Sequence, residues 1–483
     1  MVPVRIESDA TDLQASSVQL LVSGAVSAEP LLGCASDGGF TDGGFCRVGL
    51  VRLWSVSLDA GRAQVDVTAR ANDDLLNQSV ADAGTILVSR WFASFDGGSG
   101  VNGFSLLSST LVVPKTGTSE VVLVPLDGGA SLAVKTSYPP VRNVALGRTF
   151  IYVYEFETTT LFGVGQTFDS ASLTAGPDWA PDVSRPNSQL GGPITAFNGT
   201  TENVAIVTKY GATWSVFDRS TRVSTGSSAT SLQNAVGTVP LVAVGVGYKL
   251  YAAGLDTLYT LSGSSTVFGQ LEPQQAYALP TPYTSISSMI GIVGGSDRVA
   301  GVGVGGGLFR TFSSSSVLLS PWAAQVAEPL ELPIAGQGVL YFVRNFGSFS
   351  VACRSTQTSG SLLCAQVNLQ DRTTSLALGA ADTLYSAVVR TPGGESYIQV
   401  RAASTLALRY DIPLPGVVGG CSTLTPTCIG GSPVIGCVDT VGRLVFVSTD
   451  ARGVDPADNW PMEGHDPSKT FNASTDLTPY ACP

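Results

Sequence analysis

The sequence predicts an all-β protein, with a small β-sandwich over residues 1–91 followed by a seven- or eight-bladed β-propeller over residues 92–483. Three observations lead there. Charged residues supply only 13% of the 483, whereas apolar residues supply 44% and glycines number 55; this is the balance of a chain built from short strands and many turns. Apolar and polar residues alternate over runs of a few residues, as half-buried strands require. From about Trp91 onward a single sequence plan recurs at a spacing of roughly fifty residues, the period of stacked four-stranded units. The length itself exceeds what one ordinary core supports, so two domains are expected.

The first region is a set of alternating strands between turns: "SSVQLLVSGAV" (Ser16–Val26), "GLVRLWSVSLDAGRAQVDVTARANDD" (Gly49–Asp74) and "GTILVSR" (Gly84–Arg90). In "AQVDVTARA" the residues Val65, Val67, Ala69 and Ala71 share one face while Asp66, Thr68 and Arg70 share the other. That alternation predicts a half-buried antiparallel strand. In the second region, "VPLVAVGVGYKLYAAGLDTLYTLSG" (Val239–Gly263), "EPLELPIAGQGVLYFVRNFGSFSVAC" (Glu328–Cys353) and "SPVIGCVDTVGRLVFVSTD" (Ser432–Asp450) repeat one plan. Each has a proline, an apolar strand, a glycine-containing turn and a stronger "LYA", "LYF" or "LVF" strand. Ile151, Val204, Leu250, Leu308, Leu340, Leu384 and Leu444 mark the stronger strands. A four-stranded unit buries its faces only against copies of itself, so radial stacking is expected.

These residues also carry two resemblances. The strand Val18–Val26, the hairpin Leu58–Asp73 and the closing Ile86–Arg90 resemble bacterial Ig-like domains, which implies an Ig-like sandwich for residues 1–91. The "SPVIG … GRL" strands and the segment "NWPMEGHDPSKTFN" (Asn459–Asn472) resemble PQQ-like (quinoprotein-like) β-propellers, which implies the propeller. The repeat that tightens active quinoproteins is absent in clean form, "VFDRSTRV" (Val216–Val223) being its nearest remnant. The calcium-liganding acids, amides and cysteine pair of those enzymes match no residues here. The resemblance thus supports the fold and argues against an inherited cofactor; none is expected.

Charge and hydropathy exclude further classes. The net charge of −11, from 26 basic and 37 acidic residues without a Lys/Arg cluster, opposes nucleic-acid binding. The longest apolar stretch, Ala235–Gly254, is interrupted by a proline, a lysine and several glycines. It reads as paired strands and not as a membrane span. Six of the eight cysteines bracket short loops, so disulfides are expected as 34–46 (Cys34, Cys46), 353–364 (Cys353, Cys364) and 421–428 (Cys421, Cys428), and the remaining pair 437–482 (Cys437, Cys482) is expected to staple the C-terminus. A zinc site would need CxxC spacing and more histidine than the lone His465. Disulfides place the protein outside the cell or in a bacterial envelope. "MVPVRIESDATDLQ" lacks the basic start and apolar core of a signal peptide, so a mature or truncated form is expected.

Candidate chemistry is sparse. His465, in "MEGHDP", is expected to make a turn or a blade-closing hydrogen bond, with no GxSxG elbow beside it. Glu155 and Glu157 share one face of a strand, as a glycosidase pair would, but more simply form its solvated side. Asp73, Asp74 and Asp439 are expected in turns. Asp37 and Asp42, in twin Asp-Gly-Gly turns, are candidate calcium ligands, although the same triplet recurs at Asp96 and Asp127 as a turn habit. "GVGVGGG" (Gly301–Gly307) lacks the Lys-Ser/Thr of a phosphate loop. Among the tryptophans Trp54, Trp91, Trp179, Trp214, Trp322 and Trp460, only Trp179 falls in a long loop without strand pattern, which makes it the candidate ligand-binding residue. The expected function is a non-catalytic secreted or cell-surface binding or adhesion protein, with a protein or carbohydrate partner. The alternatives are an envelope assembly scaffold and a quinone-dependent or carbohydrate-active enzyme.

Overall fold

A computed structural model gives the fold. It describes strands from Val2–Ser8 to Leu444–Ser448, side chains in parts of residues 105–292, and most residues of 330–466 and 473–482. The chain divides into two compact units: Met1–Trp91 with Phe446–Thr449, and Phe92–Val445 with Asp450–Pro483. Strands pair antiparallel in both units, and the described helical structure is a single 3-10 turn at Thr478–Tyr480.

In the first unit Val2–Ser8 pairs with Leu50–Val56. A four-stranded sheet orders Ala25–Val26, Gln19–Val22, Gln64–Asn72 and Gln78–Leu87. The strand expected around Val65–Ala71 is there, paired on both sides.

Among the described residues, the second region forms eight sheets in chain order, at 105–135, 141–169, 195–231, 242–278, 285–318, 330–364, 371–413 and 421–448. Each runs up and down, neighbour pairing with neighbour. The second sheet has three described strands, Val141–Leu146, Phe150–Glu157 and Phe162–Asp169. The first strand of every sheet lies against the first strand of the next, from the first sheet to the eighth.

Sheet seven shows why these residues choose these places. Its two central strands, Thr383–Arg390 and Ser396–Ala402, are covered on both faces, and the first of them, "TLYSAVVR", is mostly apolar and small up to its last residue. Leu384, Tyr385, Ala387, Ile398 and Val400 are all inaccessible. The last strand, Leu408–Pro413, is an edge; it carries exposed Leu408, Arg409 and Asp411 and ends at a proline, which fits only at an edge.

The innermost strands present an unpaired edge too, and there the segment 450–482 answers. Trp460 exchanges both backbone hydrogen bonds with Ala335, at 2.7 and 2.8 Å. The Leu378 amide donates to the Pro461 carbonyl, the Ala380 amide to Gly453, and the Leu106 amide to Pro467. One strap therefore pairs with the first strands of sheets one, six and seven. Its own apolar residues Val454, Trp460, Met462 and Leu477 are buried. Gly453 sits at φ +71°, and a side chain there would meet the Tyr480 carbonyl at 2.5 Å.

The disulfides depart from expectation at two pairs. Cys353–Cys364 forms, joining directly opposed residues on adjacent strands. Cys421 and Cys428 do not pair with each other, because both lie in one strand, Cys421–Ile429. Seven residues of extended chain separate two Cα atoms by about 23 Å at strand rise, far beyond the ~7 Å a disulfide spans. Cys421 instead bonds Cys437 on the neighbouring strand, with Cα atoms 5.3 Å apart. Cys428 bonds Cys482 across 54 residues, at 5.2 Å. Cys34 and Cys46 lie outside the described residues. The three bonds are compatible with an extracellular or envelope location. No helix among the described residues is long and apolar enough to cross a membrane.

The Cys428–Cys482 bond closes the longest loop, for which chain entropy gives about 4 kcal/mol. Replacing both cysteines by alanine is expected to lower stability by that order in denaturant unfolding and to free the strap. Replacing Cys421 and Cys437, which close a loop of 16 residues, should cost about 3 kcal/mol. Non-reducing peptide mapping that recovered a 421–428 or 437–482 peptide pair would refute the assignment.

Candidate functional site

Between sheets six and seven lies a cleft of about 950 Å³. Its origin is a mismatch in strand length. The last strand of sheet six is only Leu362–Cys364, whereas the last strand of sheet seven runs Leu408–Pro413. The shorter strand leaves the outer part of the opposing face uncovered. That face is polar where neighbouring sheets usually meet through apolar side chains.

Residues of one face at alternate positions build the wall: Gln399 and Arg401 on the third strand, with Asp411 paired opposite Gln399 on the fourth. Asp371 opens the first strand and lies opposite Arg390, which closes the second. The Arg390 guanidinium donates to the Tyr397 hydroxyl at 3.1 Å and to Asp371 at 3.5 Å, and lies 4.9 Å above the Tyr397 ring. Glu395 is 3.8 Å away on its outer side. Gln399 donates to the other Asp371 oxygen at 3.4 Å and accepts from Arg401 Nη2 at 2.6 Å. Arg401 Nη1 donates to the Leu406 carbonyl at 2.9 Å, while its buried Nε has no acceptor.

The electrostatics follow from this burial. Arg401, 6% exposed, has its pKa lowered by desolvation, against the pull of Asp411 and Asp371. Asp411 is raised by desolvation, with Arg390 and Arg401 opposing and Asp371 adding. Arg390 is raised, first by its bond to the Tyr397 hydroxyl. The Tyr397 phenol is itself pushed up by burial and by its hydrogen bond to Asp371. Such a chain of charge-assisted bonds holds its members in one geometry.

A second titratable cluster sits on the strap. His465, at φ 76° and 1% exposed, places Nδ1 3.3 Å from the Asp466 carboxylate, and its ring meets Trp460 edge-on at 5.3 Å. Asp455 accepts from Gln337 Nε2 at 3.2 Å and from the Ala457 amide at 2.9 Å. Burial, then Asp455, pushes Asp458 up to about 7, against a hydrogen bond from the Gln337 backbone. Burial also pushes the nearby Tyr341 phenol up to about 12.

The sequence-predicted candidates fall elsewhere. Trp179, Asp37, Asp42, Asp73 and Asp74 lie outside the described residues, as do the side chains of Glu155 and Glu157. Asp439, expected in a turn, instead ends the strand Ser432–Asp439, 1% exposed, and accepts from the Val418 amide. None of the cleft residues stands out in the sequence. The one signal there is a polar residue at every second place of an otherwise apolar strand, "SYIQVRA". Among the described residues no three His, Cys, Asp or Glu side chains cluster at metal-holding distance.

No family model matches the chain, and no curated protein does. Among solved structures it is similar to the computationally designed Ika8 protein, at 12% identity and a TM-score of 0.51, over 74% of this chain and all of that one. It also aligns with apo AztD from Citrobacter koseri at 12% identity and a TM-score of 0.40, over 82% of this chain and 97% of that one. The first likeness is one of fold.

Two outcomes are expected. Gln399→Leu leaves an Arg401 nitrogen and an Asp371 oxygen unmatched, so it should cost about 1–3 kcal/mol of stability. Equal unfolding midpoints for variant and parent would show that the network contributes nothing. For Asp458, the folded pKa of about 7 exceeds the ordinary 3.8. Between those values the folded chain keeps a proton that the unfolded chain has released, so stability falls as pH rises through that window. Asp458→Asn should therefore gain on the parent from about pH 4 to about pH 7; a constant difference in Tm across that range would contradict the shift.

Proposed function

We propose that the second unit is an eight-bladed β-propeller, that residues 1–91 form an Ig-like sandwich, and that the chain is a non-catalytic secreted or cell-surface binding protein. The propeller reading is supported by two arrangements: first strands meet first strands in chain order, and the strap pairs with sheets one, six and seven.

The observation that carries the binding reading is the cleft. Apart from Asp411, its charged groups are committed to one another, from Arg390, which Glu395 also meets, through Asp371 and Gln399 to Arg401. Acid–base catalysis instead needs groups held apart in pKa and open to a substrate. Ser350, the buried hydroxyl of the cleft, exchanges its bonds with the Thr373 backbone and has no base beside it. Cys364 is in a disulfide, and His465 is enclosed in the strap. What the cleft offers is a rigid wall of fixed donors and acceptors with apolar flanks, which is the equipment of recognition.

The test has two arms. The oxidised full chain is mixed with pyrroloquinoline quinone and calcium and assayed for dye-linked oxidation of alcohols and sugars; no turnover is expected, and a chelator-sensitive signal would make the protein an enzyme. In parallel, peptide and glycan arrays are probed with the parent and with Ala407→Trp, which fills the cleft from an exposed position. Binding on either array that the variant loses supports the reading. Silence on both arrays removes it.

A further inference from the structure

We infer that the cleft receives an extended polypeptide segment, laid beside the strand Leu408–Pro413, that sets a lysine or arginine side chain against Asp411. The inference rests on the binding reading above and names the ligand for the same cleft.

Asp411 is the first reason. It lines the cleft, and no hydrogen bond joins its carboxylate to any described residue. Its two neighbouring cations are committed elsewhere. Arg390 serves Asp371, Tyr397 and Glu395, and Arg401 serves Gln399 and the Leu406 carbonyl. The charged residues lining the cleft are Asp371 and Asp411 against Arg390 and Arg401, and with both arginines and Asp371 engaged, Asp411 is the charge left open. Asp411 is surface-accessible at the cleft mouth, so an incoming cation can reach it, and desolvation already nudges its pKa up, which a cation opposes. Arg401 Nε, buried without an acceptor, is a second unmatched group on the same wall.

The strand edge is the second. Leu408–Pro413 is the last strand of its sheet, and Leu362–Cys364 is the last of the sheet opposite. Both border the cleft and leave one row of backbone groups outside the ladder. A bulge at Arg409 limits the regular stretch to Tyr410–Pro413, enough for the few backbone bonds of strand addition. A peptide supplies donors and acceptors in the required alternation; a sugar or a simple anion does not.

The flanks are the third. Leu369 and Leu408, 69% and 49% exposed, line the cleft. They offer apolar surface to the aliphatic stem of a lysine or arginine, which buries its methylenes while its head stays polar. Among the described residues no aromatic ring lines the cleft, so they offer a sugar ring no platform to stack on.

The experiment screens a bead library of random blocked hexapeptides against the oxidised full chain, then measures Kd for selected peptides. A basic residue should be enriched at one position, and its replacement by methionine should weaken binding about tenfold. Asp411→Asn should abolish that difference with an unchanged Tm. Should Asp411→Asn lower Tm, Ala407→Arg, which brings a competing cation to an exposed position, should abolish binding instead. N-methylation of the selected peptide at alternate residues should also abolish it. Enrichment of acidic residues, or a basic preference that survives Asp411→Asn, overturns the inference. Selective glycan binding without any peptide hit also overturns it while leaving the binding reading intact, whereas no binding of either kind removes both.

Discussion

The inner edge of each sheet governs the second unit. An edge strand exposes a row of N–H and C=O groups, and where neighbouring sheets exclude water those groups have to be met from within the protein. In sheets one, six and seven they are met by a segment brought from far along the chain, through Trp460 at Ala335, Pro461 at Leu378, Gly453 at Ala380 and Pro467 at Leu106. Much of the local sequence serves that contact. Trp460 fills the space beside Leu340, Tyr341 and Leu378 in one continuous apolar cluster. Gly453 takes a backbone conformation that side chains rarely adopt, and the Cys428–Cys482 bond holds the far end of the segment to sheet eight.

Between sheets six and seven the chain accepts a different cost. Arginine and aspartate side chains almost never go under cover unpaired, yet Arg401 and Asp371 are each 6% exposed. The arrangement holds because Gln399 bridges them with both ends of its amide, donating to one and accepting from the other. An apolar pair of equal volume would fill the space with less desolvation. That the charged pair is present, beside an opening left by a shortened strand, ties the polarity of this wall to recognition more readily than to stability.

The architecture is more legible in the sequence than the site is. Strong strand markers at Ile151, Val204, Leu250, Leu340 and Leu384 fall in the second strand of their sheets, where each is fully buried. Leu308 and Leu444 fall in third strands. Ahead of Leu308 the second strand is "RVAGVGV", whose glycines mute the apolar signal. The sheet at 105–135 yields no marker, since its strands "TLVVPK" and "EVVLVP" lack the LYA-type pattern by which most of the others are recognised. The mispaired cysteines have the same physical root. "CSTLTPTC" reads as a loop from its Ser, Thr and Pro, but all except its second and last residues are buried strand. The cleft stays hidden because its residues come from six strands of two sheets and meet only through register, which composition does not carry.

The corner at Cys421–Cys482 also sets an order of events. During synthesis from the N-terminus, three of its four thiols emerge well before the fourth. Cys428 therefore has to stay unpaired while Cys421 finds Cys437. The antiparallel register does the sorting: it sets Cys421 opposite Asp439, close along the strand from Cys437, and Cys428 opposite Pro433. One thiol thus comes within reach of a cysteine on the partner strand, at a Cα separation of 5.3 Å, and the other waits for the tail. Sheet eight must hydrogen-bond before its sulfurs oxidise, and oxidant arriving early finds the wrong neighbours in an unpaired chain. Correct oxidation in this corner thus reports that the last sheet has already formed, and a thiol–disulfide isomerase would act as proofreader of the strand register itself.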